Sequence, residues 1–238
     1  MSPSCAARGR GELREVVVVI PAKDEEELLP RCLASVEASL RVLTRSRPRV
    51  RTSVTVVLDG CRDGSAEVIS GWPNVRGIDL EAGSAGAARA AGVKEALAFT
   101  AAPPENVWIA STDADSAVPE PWLLHQLEVA DGGADLVLGT VIPDPADVDP
   151  RRYAKWLAVH HLADGHGHVF GANLGIRADA YLAIGGFPDV PSGEDVTLAE
   201  RARELGMVVR ATDGARVLTS GRLSSRSRGG FADFLAAF

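Results

Sequence analysis

Two aspartates one residue apart, Asp113 and Asp115, follow directly on the apolar run Val107-Trp108-Ile109-Ala110. In an extended segment their side chains point the same way, so both can reach one cation. With oxygen ligands alone and no His or Cys beside them, the ion that suits the pair is Mg²⁺ or Mn²⁺, held together with water and a substrate phosphate. A solvated acidic turn is the bland alternative, but two acids at the buried end of a central strand would repel each other without a cation. A second pair, Glu194-Asp195, opens a helical pattern from Val196 to Leu205. Acids in a first helical turn complement the dipole and cap the helix, which alone accounts for most such pairs. Their company lifts a functional reading, because Gly171-Ala172-Asn173-Leu174-Gly175 and Gly185-Gly186-Phe187-Pro188 are loops of the kind that line a site.

The elements that would position these residues alternate. Val16 to Ile20 is a β-branched run stopped by Pro21, hence a buried strand. A helix follows from about Glu26 to Leu43, then a strand at Val54 to Leu58, a helix from about Ser65 to Ser70, and a short strand near Val75 to Leu80. An Ala-rich helix spans about Ala85 to Phe99, before a strand at Val107 to Ala110, a helix at Pro121 to Ala130 and a strand at Ala134 to Ile142. That order implies an α/β doubly wound sheet, with helices on both faces. Ligands of such sheets sit beyond the carboxyl ends of the strands. Four strands there run into Pro21-Ala22-Lys23-Asp24-Glu25, Asp59 to Ser65, Glu81 to Gly86, and Ser111 to Ser116. Each tip alone reads equally well as a turn or a helix cap, whereas four on one edge make a site.

The 238 residues suit one large domain, and 25 Lys+Arg against 32 Asp+Glu leave a net charge of −7. An acidic balance argues against a nucleic-acid binder. Cys5, Cys32 and Cys61 are odd in number and unpaired in spacing, which points away from disulfides and zinc and toward a reducing cytoplasm. No apolar run approaches the roughly 20 residues of a membrane span. Residues 1–15 lack the apolar stretch of a secretory signal and read as a loose tail ahead of one domain over 16–238.

Taken in order, these segments resemble the nucleotide-sugar glycosyltransferases of family 2, whose fold is called GT-A. The resemblance rests on Ile20 to Glu25, Val57 to Ser65, Gly83 to Gly92 with Ala88-Arg89 inside, Thr112 to Ser116, Gly171 to Asn173, Gly185 to Phe187 and Gly193 to Asp195. It implies a mostly parallel GT-A sheet in a single domain, with a donor half at about 16–142 and an acceptor half at about 143–238. It further implies a nucleoside pocket at Pro21, Ala22, Lys23, Glu25 and Asp59, with Arg89, Asp113 and Ala114 along the nucleotide sugar. Asp113 and Asp115 would hold Mn²⁺ or Mg²⁺, and Asp195 resembles the general base. Gly171, Ala172, Asn173 and Glu194 would face the acceptor. The implied reaction moves a sugar from a nucleoside diphosphate, UDP first and GDP second, to an acceptor hydroxyl with inversion. Leu58, Cys61 and Ala90 depart from the family's pattern, and all five histidines precede Asp195, where some relatives carry a later His ligand.

A nucleotidyltransferase acting on a sugar phosphate is the nearer alternative, although the acidic loop Asp24 to Glu27 would repel a triphosphate. A dinucleotide-binding oxidoreductase fits less well, since Gly83-Ser84-Ala85-Gly86 lacks the required spacing. Arg41, Arg45, Arg47, Arg49 and Arg51 precede the second strand, so they fall on the far edge of the sheet as a solvated face. His160, His161, His166 and His168 suit metal ligands, acceptor contacts or a polar loop, and a flexible loop over the acceptor pocket is the favoured reading. Arg222, Arg226 and Arg228 before Phe231, Phe234 and Leu235 suit a final helix that either closes on the site or docks a second copy in a homodimer.

Overall fold

A computed structural model of the chain describes residues 11–223 and 231–236. Eight strands form one sheet: β1 (Glu15–Ala22), β2 (Arg51–Asp59), β3 (Val75–Leu80), β4 (Val107–Ser111), β5 (Ser116–Ala117), β6 (Leu136–Pro143), β7 (Leu174–Arg177) and β8 (Val209–Thr219). Their spatial order is β3-β2-β1-β4-β7-β6-β8-β5. The pairs β1–β2, β2–β3, β1–β4 and β6–β8 are parallel, while β7 runs antiparallel to both β4 and β6. Reversing twice across β7 leaves β6 and β8 pointing the same way as β4. The carboxyl ends of all six parallel strands therefore reach one edge.

The central β1 shows why a continuous apolar run was needed. Val16, Val18 and Ile20 face a core shared with α1 (Leu29–Ser46) and α4 (Trp122–Asp131), and Val17 and Val19 face one shared with α3 (Ala85–Ala98), α6 (Ala178–Ile184) and α7 (Glu194–Glu204). Alternate residues thus feed opposite layers, each burial worth about 1.5–3 kcal/mol. Helix α1 begins later than the periodicity suggests. Residues 25–28 form a turn in which Leu28 and Leu29 N–H groups donate to Glu25 O, and Pro30 suits a first helical turn. A third, smaller core joins Trp156 of α5 (Pro150–Val159), Val148 and Leu235 of α8 (Phe231–Ala236).

The loose tail expected to reach residue 15 ends sooner. Arg14 N–H donates to Asn106 O, Arg51 N–H to Arg14 O, and Leu13 is buried, so 11–15 are tied to the domain. Residues 1–10, with Cys5, lie outside the described residues. No helix among the described residues is long and apolar enough to cross a membrane.

Candidate active site

At the carboxyl edge a cleft of about 870 Å³ collects every candidate residue but one. Pro21, Ala22, Lys23, Glu25, Asp59, Arg89, Asp113, Ala114, Asp115, Gly171, Ala172, Glu194 and Asp195 all line it, and Asn173 does not. The Asn173 side chain turns inward instead. Its Oδ1 accepts from Trp122 Nε1 at 2.9 Å, and its Nδ2 donates to Thr140 O and Ala215 O, so it ties α4, β6 and β8 together.

On one side of the cleft, the tips of β1, β2 and β3 are bound to each other. Lys23 Nζ donates to Asp59 O at 2.9 Å, and Asp59 Oδ1 accepts from the N–H groups of Ala82 and Gly83 at 2.6 and 3.0 Å. Ser84 then caps α3 by accepting from Ala87 N–H. Asp24, Cys61 and Asp63 lie close enough to share an ion, but their acceptor atoms already brace this loop, taking N–H bonds from Arg62, Asp24, Ser65 and Glu26.

The pair Asp113 and Asp115 differs from the extended arrangement expected. The β4 strand stops at Ser111, and Ser116 N–H closes a turn on Asp113 O at 3.1 Å. The two carboxylates consequently take different partners. Asp113 pairs with Arg89 Nη2, whereas Asp115 Oδ2 lies 2.9 Å from Arg222 Nη2 and its Oδ1 accepts from Ser116 and Thr219 hydroxyls. Burial, then the charge of Asp113, pushes the Asp115 carboxyl up to about 6 against the pull of Arg222. A buried carboxylate so disposed retains its charge beside added positive charge, and its donor set is oxygen only, so the pair fits Mg²⁺ or Mn²⁺.

Arg89, on α3 and 3% exposed, is the hub of the cleft. Its Nε donates to Ser111 Oγ, and Nη1 and Nη2 pair with Glu194 and Asp113. Burial works against its charge, and Asp113, Glu194 and Asp195 outweigh that. Gly171 makes room for it, since a Cβ there would stand 2.6 Å from the guanidinium. Gly193, at φ +77°, turns the chain sharply into α7 in a conformation that favours glycine. That turn sets Asp195 over Gly171, whose N–H donates to Asp195 Oδ2 at 2.7 Å, while Val196 N–H donates to Oδ1 at 2.8 Å.

One wall of the cleft consists of rings. His160 stacks on Trp156 at 4.0 Å between centroids, His168 lies near His160 and Phe170, and Phe231 meets Trp156 and Phe170 edge-on. Burial, then the other histidines, pushes His168 below the usual imidazole range, toward its neutral form. With Phe231 lining the cleft and Leu235 buried, α8 closes on its own chain's site. Arg226 and Arg228 lie outside the described residues.

Residues 17–181 match the model of glycosyl transferase family 2. The chain belongs to glycosyltransferase family 2. Among solved structures, this family member resembles TarS of S. aureus bound to UDP-GlcNAc, with a TM-score of 0.66 at 15% identity over 91% of this chain and 61% of that one. It also resembles the mannosyltransferase PcManGT of Pyrobaculum calidifontis bound to GDP-Man and Mn²⁺, with a TM-score of 0.61 at 18% identity over 91% and 59%. A 4-diphosphocytidyl-2C-methyl-D-erythritol synthase follows at 0.52 and 16% identity over 84% and 90%. These likenesses show the shared GT-A sheet, and the chain spans about three fifths of the first two. No curated protein matches the sequence.

Among the cleft residues that no segment of the sequence singles out are Phe170, Thr219 and Ser220. Thr219 closes β8, a strand with Asp213-Gly214 inside it, a pair that favours turns. As the carboxyl end of a strand parallel to β6, Thr219 and Ser220 fall at the site by the same rule as the other tips.

Proposed function

We propose that this family 2 member transfers a sugar from a nucleoside-diphosphate sugar to an acceptor hydroxyl, with inversion and with Mn²⁺ or Mg²⁺. One observation carries the reading: a single cleft holds the oxygen-only pair Asp113 and Asp115 together with Asp195, which two backbone N–H groups fix, and Arg89 pairs with both Asp113 and Glu194, the neighbour of Asp195. We assign the donor to the half at 16–142 and the acceptor to the half at 143–238, with the Arg89–Glu194 pair joining them. The free thiols of Cys32 and Cys61 suit a reducing cytoplasm.

In this mechanism Asp195 takes the proton of the acceptor hydroxyl, which is a poor nucleophile until a positioned base removes it. The oxygen attacks the anomeric carbon, the bond to the β-phosphate oxygen breaks, and the departing diphosphate keeps the electron pair. Asp113 and Asp115 would hold a divalent ion, whose charge would offset this departure. Arg89 fixes Asp113 and Glu194 relative to one another, and the ring wall of His168, Phe170 and Phe231 excludes water from the acceptor side.

Asp59 suits a base that donates, because an ionised carboxylate only accepts. Uracil offers its ring N–H, as thymine and guanine do, whereas cytosine presents a ring acceptor there. TarS and PcManGT were solved with UDP-GlcNAc and GDP-Man, which supports UDP first and GDP second. The test is competition binding of UDP, GDP and CDP to native protein and Asp59→Asn. An amide can still accept from Ala82 and Gly83 through its oxygen while turning a donor to the base. Native protein should prefer UDP over CDP by at least about tenfold, the equivalent of one mismatched buried group, and Asp59→Asn should narrow or reverse that ratio. An unchanged ratio would remove Asp59 from base recognition, and failure to bind any of the nucleotides would overturn the reading.

A further inference from the structure

Three carboxylates converge beside the donor position, and two arginines divide them. Arg89 takes Asp113. Arg222, three residues past the end of β8, takes the others: Nη1 and Nη2 donate to the two oxygens of Glu25 at 2.9 and 2.6 Å, and Nη2 lies 2.9 Å from Asp115 Oδ2. The other Asp115 oxygen is held by Ser116 and Thr219, so the guanidinium covers the oxygen that a divalent ion would need. Arg222 Nε is buried and makes no hydrogen bond.

We propose that Arg222 sets the metal affinity of the donor site by rivalling the divalent ion for Asp115, and yields that oxygen when a diphosphate arrives to take the guanidinium. The inference rests on the metal-dependent transferase reading above. Two cations at one carboxylate repel, so the ion alone must displace Arg222 and leave it with Glu25 only. A diphosphate changes that balance. Its oxygens suit the planar fork of a guanidinium, which has an unused Nε donor to offer as well. The displacement is within reach of this side chain, which is 23% exposed and projects from a segment beyond the sheet rather than from a packed helix. Metal and diphosphate then each favour the other's binding, as linkage requires of any such coupling.

The experiment measures Mn²⁺ binding without nucleotide, from the electron paramagnetic resonance signal of free Mn²⁺, in native protein, Arg222→Gln, Arg222→Lys and Asp115→Asn. UDP and GDP binding at saturating Mn²⁺ is measured alongside, by calorimetry. Arg222→Gln should shift the two in opposite directions, tightening Mn²⁺ alone and weakening the nucleotides, each by about tenfold, the size of one partly desolvated charge contact. Arg222→Lys, which keeps the charge without the fork, should move both the same ways by less, and it serves should Arg222→Gln fail to fold. Loss of Mn²⁺ binding in Asp115→Asn with no tightening in either Arg222 variant would overturn the rivalry and leave the metal reading standing. Unchanged Mn²⁺ binding in Asp115→Asn would overturn the metal reading and the rivalry with it.

Discussion

Arg89 and Arg222 each bridge two carboxylates in one cleft, yet their surroundings give the same contact opposite meanings. Arg89 rises from the second turn of α3, is 3% exposed and ties the tip of β4 to the start of α7. Arg222 leaves an irregular segment after β8, keeps 23% of its side chain exposed and ties Asp115 to Glu25. A guanidinium buried on a rigid element holds its acids in place, because removing it strands charges away from water. One at the rim can exchange partners, because solvent and an arriving anion share the cost. The two arginines thus divide the site into a fixed frame and an exchangeable cover.

The largest effect is expected at the frame. Arg89→Met should cost about 3–5 kcal/mol, the usual penalty for breaking a buried pair on one side, whereas Arg222→Met should cost less, about 1.5–3 kcal/mol, because its partners Glu25 and Asp115 are shielded but the arginine itself reaches solvent. Urea unfolding of both variants without ligands tests the contrast, and equal losses would break it. A smaller effect concerns pH. With its carboxyl pushed up to about 6, Asp115 binds a proton more readily folded than unfolded, so its contribution favours the metal-free fold below about pH 6 and is lost as pH rises through that value. Metal binding has the reverse sign, since proton and ion compete for one oxygen. Mn²⁺ affinity should therefore be full above about pH 6 and fall toward tenfold per pH unit below it. A flat profile from pH 5 to 7.5 would remove Asp115 from metal binding.

The two halves of the sheet were unequally legible. β1, β2 and β4 announce themselves because both faces are buried, which forces runs such as Val16 to Ile20, and their polar tips then place Asp59, Asp113 and the Lys23 loop. β8 buries only Ala215, Val217 and Thr219, leaves its first half part-exposed and carries an Asp-Gly inside, so no continuous apolar run marks it as a strand. Asn173 shows the converse error. Its Gly-Ala-Asn segment does reach the cleft, but the amide satisfies buried carbonyls of β6 and β8, a tertiary demand invisible in the segment itself. The far-edge placement of the arginine cluster agrees with the structure, where Arg47 pairs with Asp131 and Arg51 with Glu15 at the amino ends of the strands. The tail left two outcomes open, and Phe231 and Leu235 settle on their own domain.

The central claim is that one cleft binds a nucleotide sugar on the frame's donor side and deprotonates an acceptor at Asp195. The direct measurement is Asp195→Asn, with Mn²⁺-dependent UDP and GDP binding recorded alongside sugar transfer. Binding should stay within about threefold, since the Asp195 carboxylate is held by the Gly171 and Val196 N–H groups and takes no part in the Asp113–Arg89 or Asp115–Arg222 pairs, and transfer should fall by about 10²–10⁴, the usual contribution of a general base. Transfer that survives within a few fold, with binding intact, would contradict the account and leave Asp195 as the residue that merely fastens Gly171 to α7.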